Sequence, residues 1–415
     1  MKNRMTGMMG LRKTAAAISS IVLLLGLNLA APATAAEKKL DIGYNDSLSG
    51  PGAVFGVPQQ RAIQIAVEEI NGAGGIKAGS DNYKINLITN DDKANPTEAT
   101  NSVRRLIDRD DAKFLIGFCC SGPTSAVASF IGNEEVLMLV GTAAEKSITT
   151  RGYPNLFRNR PPGDFTGAAA GRFIASKGIK RLAVIGALDA ALYNQYLASL
   201  RAEFEKLGGE IIATESAGLG DRDMTSQLTK IKGLNPDAIF VEIYVEQAAF
   251  IYRQANELGL KVPTFGFHGG SEEQFLRVLS SEQMEGVWDL RPTELTLAAL
   301  GPEATRFAET YKKKFGENPA PNTGYAYDGV YILKAAIEKA GSVDVKKVTA
   351  AMSSLEVPKD VVLKYLPIDG KLFDQNGQAY ITNGAFQWRK GKWAFDSEMP
   401  SDVKAYAAAL RAARK

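Results

Sequence analysis

Histidine and cysteine are scarce in this sequence of 415 residues, which contains one histidine, His268, and two cysteines, Cys119 and Cys120. A single histidine excludes a histidine-based metal cluster. The sequence also lacks a Gly-x-Ser-x-Gly turn, a histidine paired with a cysteine or serine motif, and any regular spacing of metal ligands. We therefore predict that the protein is not an enzyme and that it uses no cofactor and no metal ion.

Long apolar runs are missing after the first 36 residues. Those residues contain four basic and no acidic side chains, an apolar run from Ala15 to Ala30, and then a stretch of small residues. This order is typical of a secretory signal peptide, and we predict cleavage after Ala35 or Ala36. The run is too short and too interrupted to anchor the chain, because a membrane span needs about 20 apolar residues. No cysteine directly follows it to carry a lipid, so we expect a soluble periplasmic protein.

An excess of one charge sign is absent from the mature chain. Removal of the 4 basic residues in the signal peptide leaves 45 basic and 46 acidic side chains, a formal charge of −1. No block of lysine and arginine is interleaved with aromatic residues, which argues against nucleic-acid binding. The mature length of 379 residues (415 minus 36) exceeds what one hydrophobic core usually fills, so two domains are expected.

What the sequence does contain is an alternation of short apolar strands with amphipathic helices. One block of such units covers 40–140, and the same rhythm restarts over 181–266. Repeated β-α-β units predict parallel sheets with helices on both faces. We predict an α/β fold of two doubly wound, Rossmann-like lobes, with a first crossing at 151–160. The aromatic-rich tail at 381–395 predicts a hairpin.

Local signals fix some of these elements more closely. Helical spacing of apolar residues predicts a helix from Gln59 to Asn71, and another over 96–108 in which Asn95 is the N-cap. The glycine-rich segment 72–75 follows a helix and precedes a strand, the reverse of the order in a phosphate-binding loop. We interpret it as a helix end and a turn.

Ten short motifs along the chain carry a resemblance to a known family. They are Ser47–Pro51, Phe55-Gly56, Ala66–Ile76, Asp91-Asp92, Asn95-Pro96, Ile116–Thr124, Thr149–Tyr153, Arg222-Asp223, Gln254–Leu260 and Ala326–Gly329. Their number and order resemble the leucine/isoleucine/valine-binding protein family, the periplasmic receptors of ABC importers. Within that family Asp91-Asp92 ends a strand and supports the next helix; a paired-carboxylate site is the alternative.

The resemblance implies a type I periplasmic binding fold, in which two lobes joined by three crossovers close around a ligand. The ligand then lies at the carboxyl ends of the parallel strands. We expect lobe 1 to comprise 37–157 with about 289–365, and lobe 2 to comprise 158–288 with about 366–415. The resemblance further implies a monomer that delivers its ligand to ABC permease subunits in the inner membrane. A protein that senses a ligand for a membrane receptor is an alternative, because a fold does not fix a function.

The family's ligand contacts map onto two loops of the first lobe. Ser121 takes the position of a serine that holds the ligand carboxylate together with backbone amides, at a helix N-terminus that favours anions. The alternative is that Ser121 is only an N-cap. Thr142 and Ala144 take the positions of a carbonyl and a hydroxyl that meet the head group of an α-amino acid. With Ala144 there, the hydroxyl is displaced or lost, and Thr142 is expected to compensate.

In the second lobe the resemblance is looser. His268 stands where the family has the acid that holds the ligand's amine, and a histidine is a poor partner for an ammonium group. A structural histidine is the alternative. Phe55, Tyr193 and Tyr244 match family aromatics that line the site, with core packing as the alternative. Arg160 can bind a carboxylate through two N–H groups, unless it is simply exposed.

These departures lead to a hypothesis about the ligand. The carboxylate half of the site is plausible, whereas the ammonium half has lost its acid, and an unpaired buried charge is costly. We expect a small organic acid or an amino-acid-like ligand, and favour an aromatic or other apolar carboxylate. The alternative is an ordinary branched-chain amino acid.

The cysteine pair is a further departure from the family, which often links the cysteine at this place to one in the Asp-Asp loop. That loop, 91–96, has no cysteine here. Cys119 and Cys120 either form a strained disulfide between neighbours or remain two buried thiols.

Overall fold

The computed structural model describes residues 38–188, 191–218, 220–268, 272–293, 301–320 and 322–412. The predicted signal peptide and its cleavage site lie outside these ranges. Among the described residues, no helix combines the length and apolar character needed to cross a bilayer.

The first sheet is built from the amino-terminal part of the chain. Its strands are β1 (Lys38–Asp46), β2 (Ile76–Ala78), β3 (Asp81–Asp91), β4 (Phe114–Gly117), β5 (Leu137–Val140) and β6 (Leu156–Arg158). They pair in the order β2-β3-β1-β4-β5-β6, and all neighbours are parallel except β2 and β3. Strands β4 and β5 are buried throughout, as expected for a sheet covered on both faces.

Seven helices accompany this sheet in the described part of the chain. They are α1 (Ala53–Gly72), α2 (Pro96–Asp108), α3 (Ser121–Ala128), α4 (Ser147–Thr150), α11 (Pro302–Phe315), α12 (Thr323–Ala340) and α13 (Val345–Ser353). Alternate residues of β4 show the two covered faces. Phe114 and Ile116 pack in the cluster that contains α1 and α12, whereas Leu115 packs in the cluster that contains α2 and α3. The sheet and these helices form the first lobe.

The second sheet has seven strands and mixed pairing. They are β7 (Arg181–Gly186), β8 (Glu210–Ser216), β9 (Ala238–Glu242), β10 (Thr264–Gly266), β11 (Trp288–Pro292), β12 (Asn383–Arg389) and β13 (Lys392–Glu398). Their order is β13-β12-β11-β10-β9-β7-β8, parallel from β11 to β8 and antiparallel at β12 and β13. The predicted hairpin is therefore confirmed, and Lys390 and Gly391, both with positive φ, form its turn.

The second lobe consists of this sheet and seven more helices. They are α5 (Gly163–Ser176), α6 (Ala191–Lys206), α7 (Thr225–Gly233), α8 (Val245–Glu257), α9 (Glu272–Phe275), α10 (Ser281–Met284) and α14 (Val403–Ala412). The two sheets and their helices confirm the predicted fold class.

Three connections cross between the sheets. The first follows β6, the second follows β11, and the third leads from α13 to β12. The expected boundary near residue 289 falls inside β11, which pairs with β10 and β12, so the second crossing begins after Pro292. Near the first and third crossings, Arg158 and Gln378 form an isolated β-bridge that ties the two connections together.

Local signals predicted some helix ends and not others. The N-cap of α2 is confirmed, because the Asn95 side chain accepts hydrogen bonds from the N–H groups of Thr97 and Glu98. In contrast, α1 begins at Ala53 rather than Gln59 and contains Pro58. A side chain at Gly56 would overlap the carbonyl of Ser47, so close tertiary packing holds this extra turn.

Candidate functional site

Ser121 lies at the start of α3, at the carboxyl end of β4. Its Oγ accepts hydrogen bonds from the backbone N–H groups of Ala144 at 3.2 Å and Glu145 at 3.3 Å. With its oxygen used in this way, the hydroxyl hydrogen is the part left to donate. The N–H groups of Ser121 and Gly122 belong to the first turn and have no partner within the helix. This end of α3 therefore gathers donors suited to an anion.

The loop after β5 supports that serine. The Thr142 hydroxyl donates to Gln59 Oε1 at 3.2 Å, and the Thr142 carbonyl accepts from Arg160 Nη1 at 3.1 Å. Ala144 is buried, with its N–H on Ser121 and its carbonyl accepting from the N–H of Gly163. Both Thr142 and Ala144 thus lie beside Ser121, but their polar atoms are occupied by the protein itself.

Arg158 is a supporting residue that the sequence analysis passed over. Its buried guanidinium donates to the carbonyls of Ala143 at 3.1 Å and Glu145 at 2.6 Å, and to Gln378 Oε1 at 2.7 Å. It therefore fixes the loop that presents two N–H groups to Ser121. A charged residue at the end of the apolar strand β6 is the signal that could have revealed it.

Arg160 lies at the first crossing and is buried, so the alternative of an exposed surface arginine is wrong. Its Nη1 binds the Thr142 carbonyl, while its buried Nε has no hydrogen-bond partner. Arg160 is thus placed beside the loop of Ser121 with a donor to spare. Contact with a ligand stays a prediction for this residue.

Three predicted aromatic residues come together across the cleft. The ring of Tyr244, just before α8, lies edge-on to Phe55 of α1 at 5.5 Å and to Tyr193 of α6 at 5.9 Å between centroids. Phe55 belongs to the first lobe and the two tyrosines to the second, so these rings line both sides. Burial, then the neighbouring Cys120 and Cys119, raise the pKa of Tyr244 to about 12. The phenol therefore stays protonated close to the start of α3.

Both cysteines are free thiols in this structure, with their sulfur atoms 2.8 Å apart. The Cys119 N–H donates to Asp46 Oδ1 at 3.0 Å, and Cys120 Sγ lies 3.5 Å from the Ser47 hydroxyl. Burial raises the pKa of Cys119 well above its ordinary value, which keeps that thiol protonated. A disulfide between the two neighbours stays the alternative, and the pair lies next to Ser121 in either form.

His268 does not offer a free nitrogen to the cleft. Its Nε2 is hydrogen-bonded to the Tyr252 hydroxyl, and its Nδ1 lies 3.2 Å from the carbonyl oxygen of Ile243. Burial lowers the pKa of His268, so a neutral ring donates from Nδ1 and accepts at Nε2. With both nitrogens paired inside the second lobe, the arrangement matches the structural alternative, and direct ligand binding by this side chain is not supported.

Glu242, the last residue of β9, is a buried acid that the sequence analysis did not consider. Its side chain is fully buried, and neither carboxyl oxygen has a hydrogen-bond partner in the described part of the chain. Burial raises the pKa of Glu242 well above its ordinary value. An acid that closes the otherwise apolar strand 238–241 was the available signal.

The two aspartates at the end of β3, Asp91 and Asp92, hold a loop and do not form a catalytic pair. Asp91 Oδ1 accepts from the N–H groups of Leu48 and Ser49, and Asp92 Oδ1 accepts from the Ser47 hydroxyl at 2.6 Å. They fix the loop that follows β1 at the same edge of the sheet as Ser121. Beneath it, burial raises the pKa of Asp46 to about 6.

Metal-ligand groups and a cavity outside the cleft were considered as alternative sites. In the described ranges, no group of three or more His, Cys, Asp or Glu side chains is placed to hold a metal ion. A cavity of about 680 Å³ lies beside α13 and is lined by Lys113, Glu134 and Lys346 among others. These residues stand at the opposite ends of the strands from Ser121, so this cavity is not part of the cleft.

Comparison with known proteins matches most of the chain to one family. The sequence pattern of the family described as periplasmic binding protein matches residues 39–392. The Leucine-, isoleucine-, valine-, threonine-, and alanine-binding protein of Pseudomonas aeruginosa is 26% identical over 327 residues, covering 78% of this chain and 85% of that protein. The Leu/Ile/Val-binding protein homolog 3 of Brucella melitensis is 29% identical over 315 residues, covering 75% and 82%.

Solved structures of similar fold hold different ligands. The branched-chain amino acid transporter substrate binding protein of Streptococcus pneumoniae, in complex with isoleucine, is 25% identical with a TM-score of 0.76, covering 87% of this chain and 100% of that one. A solute binding protein of an ABC transporter from R. palustris, in complex with benzoate, is 20% identical with a TM-score of 0.73, covering 88% and 97%. The second likeness concerns the fold alone.

Proposed function

Because this chain belongs to the periplasmic binding protein family, we propose that it is the solute-binding protein of an ABC importer. It captures a small organic acid between its two lobes and delivers it to permease subunits in the inner membrane. After removal of the signal peptide it works in the periplasm as a monomer. The two α/β lobes and their three crossings support this function, since such folds bind ligands at the carboxyl ends of their strands.

The ligand carries a carboxylate on an aromatic or otherwise apolar body. The observation that carries this proposal is the Ser121 oxygen, which accepts two backbone N–H groups and so leaves its hydrogen to donate. The carboxylate binds at the start of α3, to Ser121 and the adjacent amides. Phe55, Tyr193 and Tyr244 surround the apolar body, with edge-on rings that suit an aromatic ligand.

The two positions at which the family holds an ammonium group support an acid over an amino acid. His268, at the position of the family's acid, has both nitrogens paired, and the Thr142 carbonyl already accepts from Arg160. A ligand ammonium would meet no carboxylate at these two places, and the Thr142 carbonyl would have to accept from it beside the cationic Arg160. Burying it there without a partner is costly.

A branched-chain amino acid is the second candidate, favoured by the names of the relatives. Proteins that are 26% and 29% identical to this chain are named for leucine, isoleucine and valine, and a structure 25% identical holds isoleucine. This candidate requires that another group of the cleft accept the ammonium.

A thermal-shift screen of refolded mature protein, stripped of carried-over ligand, separates the two candidates. The panel contains leucine, valine, benzoate, phenylacetate, hexanoate and benzamide. A ligand at about 100 times its Kd stabilises the folded state by about 2.7 kcal/mol, which raises Tm. We expect a rise with the carboxylates and none with leucine, valine or the uncharged benzamide. A rise with leucine and valine alone would contradict the proposal.

A further inference from the structure

Glu242 is a buried acid of the second lobe whose carboxyl oxygens are unpaired in the part of the chain that the structure describes. It ends β9, and its backbone carbonyl accepts from the Ala187 N–H at 3.0 Å, which keeps the main chain within the sheet. Phe240, two residues earlier and therefore on the same face, stacks on Tyr196 of α6 at 5.8 Å. The Glu242 side chain therefore points toward α6, at the carboxyl end of the sheet.

This end of α6 leads directly to the cleft. Tyr193 lies one turn before Tyr196 and takes part in the aromatic contacts with Tyr244. Burial, then Tyr244 and Glu242, raise the pKa of Tyr193 well above its ordinary value, whereas Arg160 lowers it. Tyr193 is thus within the electrostatic influence of Glu242 and of Arg160, the arginine at the first crossing.

Within the described ranges, Glu242 has no hydrogen-bond partner. The Tyr196 hydroxyl donates to the Leu290 carbonyl at 3.0 Å instead. Arg291 lies 2.9 Å from Asp289, the other buried acid of this sheet. Among the described residues, no basic side chain forms an ion pair with Glu242, and both of its oxygens are buried without a hydrogen bond.

A carboxyl group in this position cannot stay charged, because an isolated buried charge is too costly and the group takes up a proton instead. A protonated carboxyl has an O–H that donates and a carbonyl oxygen that accepts. Unpaired polar groups are rare in folded proteins, and one at a ligand cleft is best explained by a partner that arrives with the ligand.

We propose that Glu242, in its protonated form, donates a hydrogen bond to an oxygen of the bound ligand and so selects oxygen-bearing acids over ammonium-bearing ones. The inference rests on the proposed function and names the second-lobe contact that it requires. Ser121 and Glu242 then bind the polar oxygens of the ligand from the two lobes, so that binding and lobe closure reinforce each other.

The test compares wild-type protein with Glu242→Gln, Glu242→Met and, as a control, Glu246→Gln. Glu246 is an exposed acid four residues along the chain. Isothermal titration measures the Kd of benzoate, phenylacetate, hexanoate and leucine in two buffers of different ionisation enthalpy, which also counts protons exchanged. Circular dichroism checks that each variant is folded.

Glutamine retains an N–H donor, so we expect Glu242→Gln to keep the Kd of the carboxylates within about threefold. Methionine has no donor, and Glu242→Met should raise that Kd about tenfold or more. No proton should be released on binding, and Glu246→Gln should behave as wild type. Because neither Gln nor Met buries a new charge, both variants are expected to fold.

Several results would overturn the inference in distinguishable ways. Equal carboxylate binding by wild type and Glu242→Met would show that Glu242 makes no contact, while the proposed function would stand. Tight leucine binding with release of one proton, lost in Glu242→Gln, would make Glu242 an ionised partner of the amine. Failure of every carboxylate to bind the wild type would remove the ligand class itself and the inference with it.

Discussion

Replacing Arg158 by lysine tests how far the cleft depends on one buried guanidinium. Arg158 makes four hydrogen bonds, to Gln378, Thr149 and the carbonyls of Ala143 and Glu145. Burial lowers its pKa to about 10, so the group is still cationic at neutral pH. A lysine carries three donors on one nitrogen and cannot span acceptors that lie on different sides of a planar fork.

The expected cost follows from the acceptors left behind. If lysine loses two of them, and each buried acceptor without a partner costs about 1 to 3 kcal/mol, the free energy of unfolding falls by about 3 kcal/mol. The loop 143–145 also loses its fixed position, so Ser121 loses its two N–H partners in part and carboxylate binding weakens.

Urea unfolding followed by circular dichroism measures the loss for Arg158→Lys. Arg109→Lys is the matched control, because Arg109 is exposed and pairs only with the neighbouring Asp110. The control should change stability little. A loss below about 1 kcal/mol for Arg158→Lys, with unchanged ligand affinity, would refute the role given to this residue, since even one unpaired buried acceptor costs about that much.

Three further predictions concern stability and the cysteines. Burial raises the pKa of Asp46 to about 6 and the pKa of Asp328 to about 8. Between pH 4 and 8 these two groups therefore lose their protons in the unfolded chain while the folded chain still keeps them. Their contribution to the free energy of unfolding falls as the pH rises. Chemical unfolding across that pH range should show a smaller decrease in the free energy of unfolding for Asp328→Asn than for wild type. An equal decrease in the two proteins would contradict this prediction. Gly167→Ala should destabilise the protein by about 1 to 3 kcal/mol, because the new methyl group overlaps the Tyr196 carbonyl. In the control Gly233→Ala the new methyl group meets no neighbouring atom, so its melting temperature should not fall. Equal melting temperatures of the two variants would contradict the packing role of Gly167. Mass measurement after alkylation of unfolded, unreduced protein should show two labelled cysteines, and labelling only after reduction would establish the disulfide instead.

Much of the fold was predictable because its signals are local. The alternation of short apolar strands with helices predicts two doubly wound lobes, and Asn95 with Pro96 predicts the start of α2. Helix α5 escaped prediction because small residues fill it, and Gly167 and Gly171 are there to let α6 approach closely, which only the packed structure reveals. The extent of β11, in which the expected boundary near 289 falls, depends on pairing with β10 and β12, which no local pattern shows.

The candidate site likewise contains residues that the sequence indicates and residues that only the packed structure reveals. Ser121 was named from the family resemblance, and its expected place at the start of a helix is where the structure has it. The partner of His268, Tyr252, lies on α8, and no sequence pattern shows that the two side chains meet. Glu242 was missed because one acid at the end of an apolar strand looks like the strand's exposed end, while the structure buries it.

The central claim is that a ligand carboxylate binds at the start of α3. Isothermal titration of mature wild-type protein, Ser121→Ala and Ser129→Ala with benzoate, phenylacetate and hexanoate tests it most directly. Ser129 lies at the other end of α3, where its hydroxyl donates to the Ala126 carbonyl. A hydrogen bond to a charged group contributes about 1.5 to 3 kcal/mol, so we predict that Ser121→Ala weakens carboxylate binding about 10- to 100-fold and that Ser129→Ala leaves it unchanged. Carboxylate binding of equal strength in all three proteins would contradict the account.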